Sequence, residues 1–152
     1  MPHLKNPNDH RLNKPHVVDI IDRKEERGDV VSLSFKYEPM PGGVDFKPGQ
    51  FLMIWMLGDD EIPMSISKIW EDHLISISIA DVGPTTHALC SLKIGDKIGV
   101  RGPYGTNFDL KTGNDQIAII IGGGIGTAAV LPLFDEATSL LLKMDTRTLK
   151  DV

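Results

Sequence analysis

Cysteine is almost absent from this 152-residue chain, where Cys90 stands alone. One thiol forms no internal disulfide, and neither a four-cysteine metal site nor an iron-sulfur cluster is expected from this chain by itself. No apolar run reaches the roughly 18 residues that a membrane-spanning helix needs, and residues 1–8 contain no apolar signal segment. A cytoplasmic location without a membrane partner is the expectation. Clustered positive charge is missing too. Lys and Arg number 16 against 21 Asp and Glu, for a formal net charge of −5, so nucleic acid is not an expected partner, because phosphate binding needs concentrated Lys and Arg. Metal-ligand spacing is also lacking. His3, His10 and His16 share no helix face and no recurring carboxylate, and they read as solvated histidines.

What is present suits one domain, or one domain and part of a second. Residues 1–15 are polar, with prolines at 2, 7 and 15, and read as a loose arm. Strands are expected at 16–21 and 30–37, separated by a charged turn over 22–29. In the second of them Val31, Leu33 and Phe35 alternate with Ser32 and Ser34. Residues 38–43 hold two prolines and two glycines and form a loop. The nearly unbroken apolar run 51–57 predicts a strand covered on both sides, with a cofactor as one cover. An acidic loop follows, and Pro63 then opens a segment that presents Ser65 and Ser67. A hairpin over 65–69 and 74–80 puts Ile75, Ile77 and Ile79 on one face.

Pro84 and Thr85 start a short helix with Leu89 and Leu92 on one side, ended by residues 93–95. A last strand, 97–101, closes in Gly-Pro-Tyr-Gly at 102–105. The expected fold is mostly β, a six-stranded antiparallel Greek-key barrel over residues 16–114. Beyond it, an Ile-rich strand at 116–121 leads into a glycine-rich turn and an apolar helix through about residue 143, in which Pro132 predicts a kink or an early tight turn. That is the opening of a parallel, nucleotide-binding α/β unit. A whole dinucleotide domain needs roughly 100 residues or more, so residues 115–152 read as the start of an incomplete NAD-binding domain.

Three segments could carry chemistry. Gly122, Gly123, Gly124, Gly126 and Thr127 lie in a strand-turn-helix context, and Gly124-x-Gly126-x-x-Ala129 fits the dinucleotide fingerprint, where backbone approaches a pyrophosphate at a helix N-terminus. Asp145 falls at the ribose-binding distance, but no apolar strand leads to it. Thr85 and Thr86 head a helix, and read equally as a cap or as a phosphate site. Ser65 could be an ordinary strand serine facing water; preceded by Pro63 and Met64, it also offers a hydrogen-bonding hydroxyl and apolar groups to a flavin ring. Cys90 reads as a buried small residue rather than a nucleophile, and His73 and His87 as surface residues.

In this order, these motifs resemble the ferredoxin reductase-type flavoproteins, and among them the electron-transfer subunits of archaeal dihydroorotate dehydrogenases. The resemblance spans about residues 17–132. It implies that Ile62, Pro63, Met64 and Ser65 bind the flavin of FAD, with Ser65 at the reacting nitrogen. It implies further that Ser78, Ile79 and Ala80 line the flavin, and that Thr85 and Thr86, ahead of Leu-Lys-Ile-Gly-Asp at 92–96, hold the diphosphate. Gly122, Gly123, Gly124, Gly126 and Thr127 would form the nicotinamide loop, used for NAD in a complete relative. Ile62 stands where the family has an arginine, so either another cation, Arg101 or Lys68, takes over its role or cofactor binding is weakened. The implied function is an oxidoreductase component in pyrimidine biosynthesis, passing electrons between a partner dehydrogenase subunit and NAD through FAD and lacking full activity alone. The alternatives are a related subunit of a hydrogenase or sulfide dehydrogenase, or a non-catalytic barrel used for protein docking. A homo-oligomer is left open.

Overall fold

The computed structural model describes residues 13–38, 45–108 and 119–148, with side chains to residue 140. Its strands are β1 (His16–Asp19), β2 (Asp22–Glu25), β3 (Val30–Lys36), β4 (Phe51–Trp55), β5 (Glu61–Ile69), β6 (Leu74–Ala80) and β7 (Lys97–Tyr104). Its α-helices are α1 (Pro84–Cys90) and α2 (Thr127–Thr148). The seven strands form one sheet in the order β1-β7-β4-β5-β6-β3-β2, and every pairing is antiparallel. The mostly β, antiparallel barrel expected from the sequence is the observed fold. Its extra strand is Asp22–Glu25, expected as part of a charged turn but paired with β3 from Asp22↔Ser34 to Glu25↔Val31. A segment made of charged residues carries no apolar alternation to reveal it, although charged side chains suit an edge strand well.

Two corners close the sheet. At the first, Ile20 N–H donates to Asp96 O at 2.8 Å, prolonging β1 along β7, and Ile21 N–H donates to Ser34 O at 2.9 Å, joining β3. One continuous segment thereby ties both edges of the sheet together. The second corner lies within β5. Its first half pairs with β4, from Trp55↔Glu61 to Phe51↔Ser65. Its second half pairs with β6 through Ile66↔Ile77, Lys68↔Ser76 and Ile69↔Ile75, with the register shifting between Ile66 and Lys68. Such an irregularity lets one strand bend from one half of a barrel to the other.

Inward alternation fills the barrel: Leu33, Phe35, Ile54, Ile66, Ile77 and Ile98 are all fully buried. On β4 Leu52 and Ile54 are buried, whereas Phe51, Met53 and Trp55 are half-buried, so the protein itself covers one side of this strand fully and the other in part. Side chains of the same sheet cover its outward face in part. The Phe51 ring lies 5.7 Å from that of Tyr104. Trp55 lies over Gly99, where a Cβ would come within 2.7 Å of the Trp55 ring, so glycine is required there.

Further departures follow from tertiary pairing. β5 begins at Glu61, not at residue 65, and β7 runs on through Tyr104. α1 starts at Pro84 as expected but ends at Cys90, so Leu92 is buried from the turn that follows and not from the helix. Residues 119–121 form no strand, and Ile119 and Ile121 are 80% and 86% exposed. A strand needs a neighbour to complete its hydrogen bonds, and none pairs with these residues among those described. The N-terminal arm to residue 12, residues 39–43 of the expected loop, the whole 111–115 linker and residues 116–118 lie outside the described residues. A 3-10 turn at Gly124–Gly126 leads into α2, which continues through Pro132 and packs against β5.

Candidate functional site

The corner in β5 creates an opening. Beyond Ile66 and Ile77, β5 and β6 no longer pair: residues 61–65 keep only β4, and residues 78–80 keep only β3, through Ser32↔Ser78 and Val30↔Ala80. Two strand edges therefore face one another across a gap without a ladder between them. Backbone N–H and C=O groups on such edges require other partners, and a flat ring with donors and acceptors on its rim meets that need. The same geometry explains the proline inside β5, since Pro63 has no N–H and stands where the strand has one neighbour.

α1 packs on β6 at this end of the barrel. Thr85 Oγ1 donates to Asp59 Oδ2 at 3.4 Å, linking the start of α1 to the loop between β4 and β5. Thr86 is engaged locally. Its Oγ1 accepts from the N–H groups of Gly83 (2.9 Å) and Val82 (3.0 Å) and donates to Gly83 O at 2.9 Å. The cap is thus Gly83 with Thr86 folded back on it, while the Thr85 hydroxyl is engaged outside the helix. Thr86→Val keeps the shape and loses these bonds; it should lower stability by about 1 kcal/mol, read as a shift in the urea midpoint.

The expected residues fall into two groups by orientation. Ile62 and Met64 stand opposite Ile54 and Leu52, on the barrel's inner side, and pack half-buried against the core. Pro63 and Ser65 take the outward face, Pro63 exposed and Ser65 half-buried opposite Phe51. Pro63, Met64 and Ser65 therefore do not form one surface, because successive strand residues alternate sides. Ile79 is fully buried in the core, so only its backbone lines the gap, while Ser78 and Ala80 are half-buried beside it. Residues 62–65 and 78–80 lie on the two edges that lack a common ladder, and Thr85 is tied through Asp59 to the loop that leads into the first of them.

The glycine turn lies against β6. A Cβ on Gly122 would approach Thr127 Oγ1 and Val130 Cγ2 to 3.1 Å, and Gly124 has φ +54°, so both have structural reasons to be glycine. Nothing lies within 4 Å of a Cβ on Gly123 or Gly126. Those two leave space into which another group's phosphate could come close to the backbone. A separate cleft of about 290 Å³ lies between Phe46, Pro48 and Ile69 on one side and Pro132, Asp135 and Glu136 on the other. It includes none of the expected site residues.

Both candidate cations are already paired. Arg101 reaches across β4 to Glu61, Nε to Oε1 and Nη2 to Oε2, both at 2.6 Å. Its Nη1 donates to Tyr104 Oη at 3.1 Å, and Tyr104 donates to Asn13 Oδ1 at 2.9 Å. The guanidinium fork holds the Glu61 carboxyl below its ordinary range, and Glu61 in turn raises Arg101. Lys68 Nζ lies 4.0 Å from Asp135 Oδ2 and 5.4 Å from the centre of the Trp70 ring. Sequence reasoning missed Glu61 and Asp59, since nothing in their spacing foretells which strand or helix they meet. Cys90 is buried, and burial pushes its thiol up, opposite to what a nucleophile needs. No His, Cys, Asp or Glu group suited to a metal occurs among the described residues, and no helix among them is long and apolar enough to cross a membrane.

No family model matches the chain. It is 36% identical over 128 residues to a protein of Thermoplasma volcanium named as a probable dihydroorotate dehydrogenase B (NAD(+)) electron transfer subunit, covering 84% of this chain and 47% of that protein. It is 35% identical over 111 residues to the gamma subunit of sulfhydrogenase 2 of Pyrococcus furiosus, covering 72% of this chain and 38% of that one. The fold is similar to a solved ferredoxin reductase of carbazole 1,9a-dioxygenase, with TM-score 0.65 and 22% identity over 78% of this chain and 37% of that one. The chain spans about half the length, or less, of the relatives it matches. In sequence the chain is similar, over about half their length, to archaeal proteins named as probable dihydroorotate dehydrogenase B electron transfer subunits, and its barrel has the fold of a solved ferredoxin reductase.

Proposed function

We propose that the chain binds FAD in the gap between β5 and β6 and forms part of an electron-transfer subunit of a dihydroorotate dehydrogenase-like complex. The observation that carries this is the pair of unpaired strand edges at residues 61–65 and 78–80. Ile62, Pro63, Met64 and Ser65 lie on the first of these edges, and Ser78, Ile79 and Ala80 on the second. FAD, when bound, supplies two-electron uptake and one-electron release, which is how it would link a partner dehydrogenase subunit to NAD.

The chain's own residues bind and orient. The backbone edges would meet the polar rim of the ring, Pro63 and Ala80 on the outward face its apolar surface, and the Ser65 hydroxyl a ring nitrogen. The first N–H groups of α1 and the Thr85 hydroxyl would hold the diphosphate. For that, the Thr85 hydroxyl must exchange its bond to Asp59, whose carboxylate opposes a second anion at this spot. The glycine turn would serve NAD in a longer relative, and the lone cysteine assigns no iron-sulfur centre to these residues. Similarity to the sulfhydrogenase gamma subunit supports a second reading, in which the same flavin site serves a hydrogenase partner.

Titration of purified protein with FAD tests the site. Quenching of FAD fluorescence in the micromolar range and a yellow protein after gel filtration are expected. A colourless protein that leaves FAD fluorescence unchanged would overturn the reading.

A further inference from the structure

A row of hydroxyls crosses the sheet on its outer face beside the gap. Ser32 and Ser78, directly opposite on β3 and β6, are 2.9 Å apart at Oγ. Ser78 Oγ lies 3.0 Å from Ser67 Oγ on β5, and Ser67 Oγ lies 3.1 Å from Ser76 O. At the other end Ser32 Oγ lies 3.2 Å from Glu26 Oε1. Glu26 is partly exposed, and its charged neighbour is Lys24, whose Nζ donates to both carboxylate oxygens at 3.0 and 2.9 Å.

Each serine has one hydrogen to give. In the structure Ser32 Oγ donates to Glu26 Oε1, Ser78 Oγ to Ser67 Oγ and Ser67 Oγ to Ser76 O, so a continuous order toward an ionised Glu26 requires two hydroxyls to turn, Ser67 from Ser76 O to Ser78 and Ser78 from Ser67 to Ser32. With Glu26 protonated, every bond reverses: Glu26 donates to Ser32, Ser32 to Ser78, Ser78 to Ser67, and Ser67 to Ser76 O. A cross-strand serine pair alone is an ordinary source of sheet stability. It would need neither a carboxylate at one end nor a second hydroxyl and a carbonyl at the other.

We propose that Glu26, Ser32 and Ser78, with Ser67, form a reversible proton relay between solvent and a redox ring held in the gap. Its use of a ring rests on the FAD reading above. A proton that reaches Ser78 Oγ from the gap would form a new O–H bond there as Ser78 passes its own hydrogen to Ser32. Ser32 passes its hydrogen to the Glu26 carboxylate, which gives it to water. One O–H bond forms and one breaks at each serine, so the gap loses one proton and solvent gains one. The electrons leave separately to the acceptor. Glu26 and Ser32 are thereby proton-transfer residues outside the binding contacts.

The cofactor-free chain provides the first test. Carbon-13 NMR across the Glu26 titration should show the Ser76 carbonyl shifting with the same midpoint as the Glu26 carboxyl. In Ser78→Ala, and independently in Ser32→Ala, Glu26 should still titrate while Ser76 stays flat. A Ser76 signal that ignores Glu26 in the unaltered chain, or still follows it in both variants, overturns the relay. The second test uses the FAD-loaded chain reoxidised by ferricyanide in H2O and D2O. Glu26→Gln should bind FAD as tightly as the unaltered chain, yet reoxidise at least about tenfold more slowly in the proton-limited regime. An equal rate overturns the relay. Failure of the unaltered chain to bind FAD, read separately by fluorescence, overturns the flavin reading and with it the relay's use of a ring.

Discussion

Arg101→Ala should lower the unfolding free energy by about 2 kcal/mol near neutral pH and weaken FAD binding at the same time. Arg101 on β7 and Glu61 on β5 are not neighbours in the sheet. Their fork spans β4 and braces the first half of β5, whose other edge is open. Both side chains are about three-quarters buried, at 28% and 24% exposure, so water screens the pair less than it would an exposed one. Removal of the guanidinium leaves a carboxylate without its two short bonds and frees the strand edge that carries residues 62–65.

Because Arg101 lowers the Glu61 pKa in the folded chain, the brace has its full effect above the unfolded carboxylate value of about 4.3 and is lost as pH falls through the folded value. Urea unfolding at neutral and acid pH should show this loss in the unaltered chain and a smaller one in Arg101→Ala. Arg101→Lys, which keeps charge without the fork, should fall between them. Equal stability of all three would show that the brace contributes nothing.

Ile77→Ala should cost about 2–5 kcal/mol, the range for removing a large aliphatic side chain from a close-packed core. Ile77 is fully buried, opposite Leu33 on one side and Ile66 on the other. Its particular interest is its place at the point where β5 and β6 part. A cavity there undercuts both edges of the gap, so FAD affinity should drop beyond what the loss of stability explains. Ile98→Ala provides the comparison, since Ile98 is equally buried but lies on β7 opposite Val18. Chemical denaturation and FAD titration of the two variants should give similar losses of stability and dissimilar losses of affinity. Parallel losses of affinity would place the flavin elsewhere.

Where the chain alternates strongly, the fold was legible. Val31, Leu33 and Phe35 on β3 and Ile75, Ile77 and Ile79 on β6 declare a buried face by period alone. Pro84 and the threonines after it likewise announced the start of α1. Asp22–Glu25 could not be found this way, because its residues are charged and its strand character comes from β3. The apolar run of β4 concealed which side was inward, and only the pairing with β5 and β7 distinguishes Leu52 and Ile54 from Met53 and Trp55.

The candidate site divides along the same line. Ile62 and residues 78–80 entered only through the resemblance to the ferredoxin reductase-type flavoproteins; by itself the sequence determined an antiparallel barrel, the order of its apolar faces, and two short segments at 63–65 and 85–86 with the residue types a flavin nucleotide would need. Those are local properties, set by alternation, proline and helix-start chemistry. Tertiary structure alone decided that β5 bends at Ile66, that its first half and the end of β6 stand apart, and that Arg101 is occupied by Glu61. It also decided that Glu26 meets a row of serines drawn from three strands. Each of these depends on register between residues distant in the chain, which no local pattern encodes, because a one-residue slip would turn every side chain to the other face.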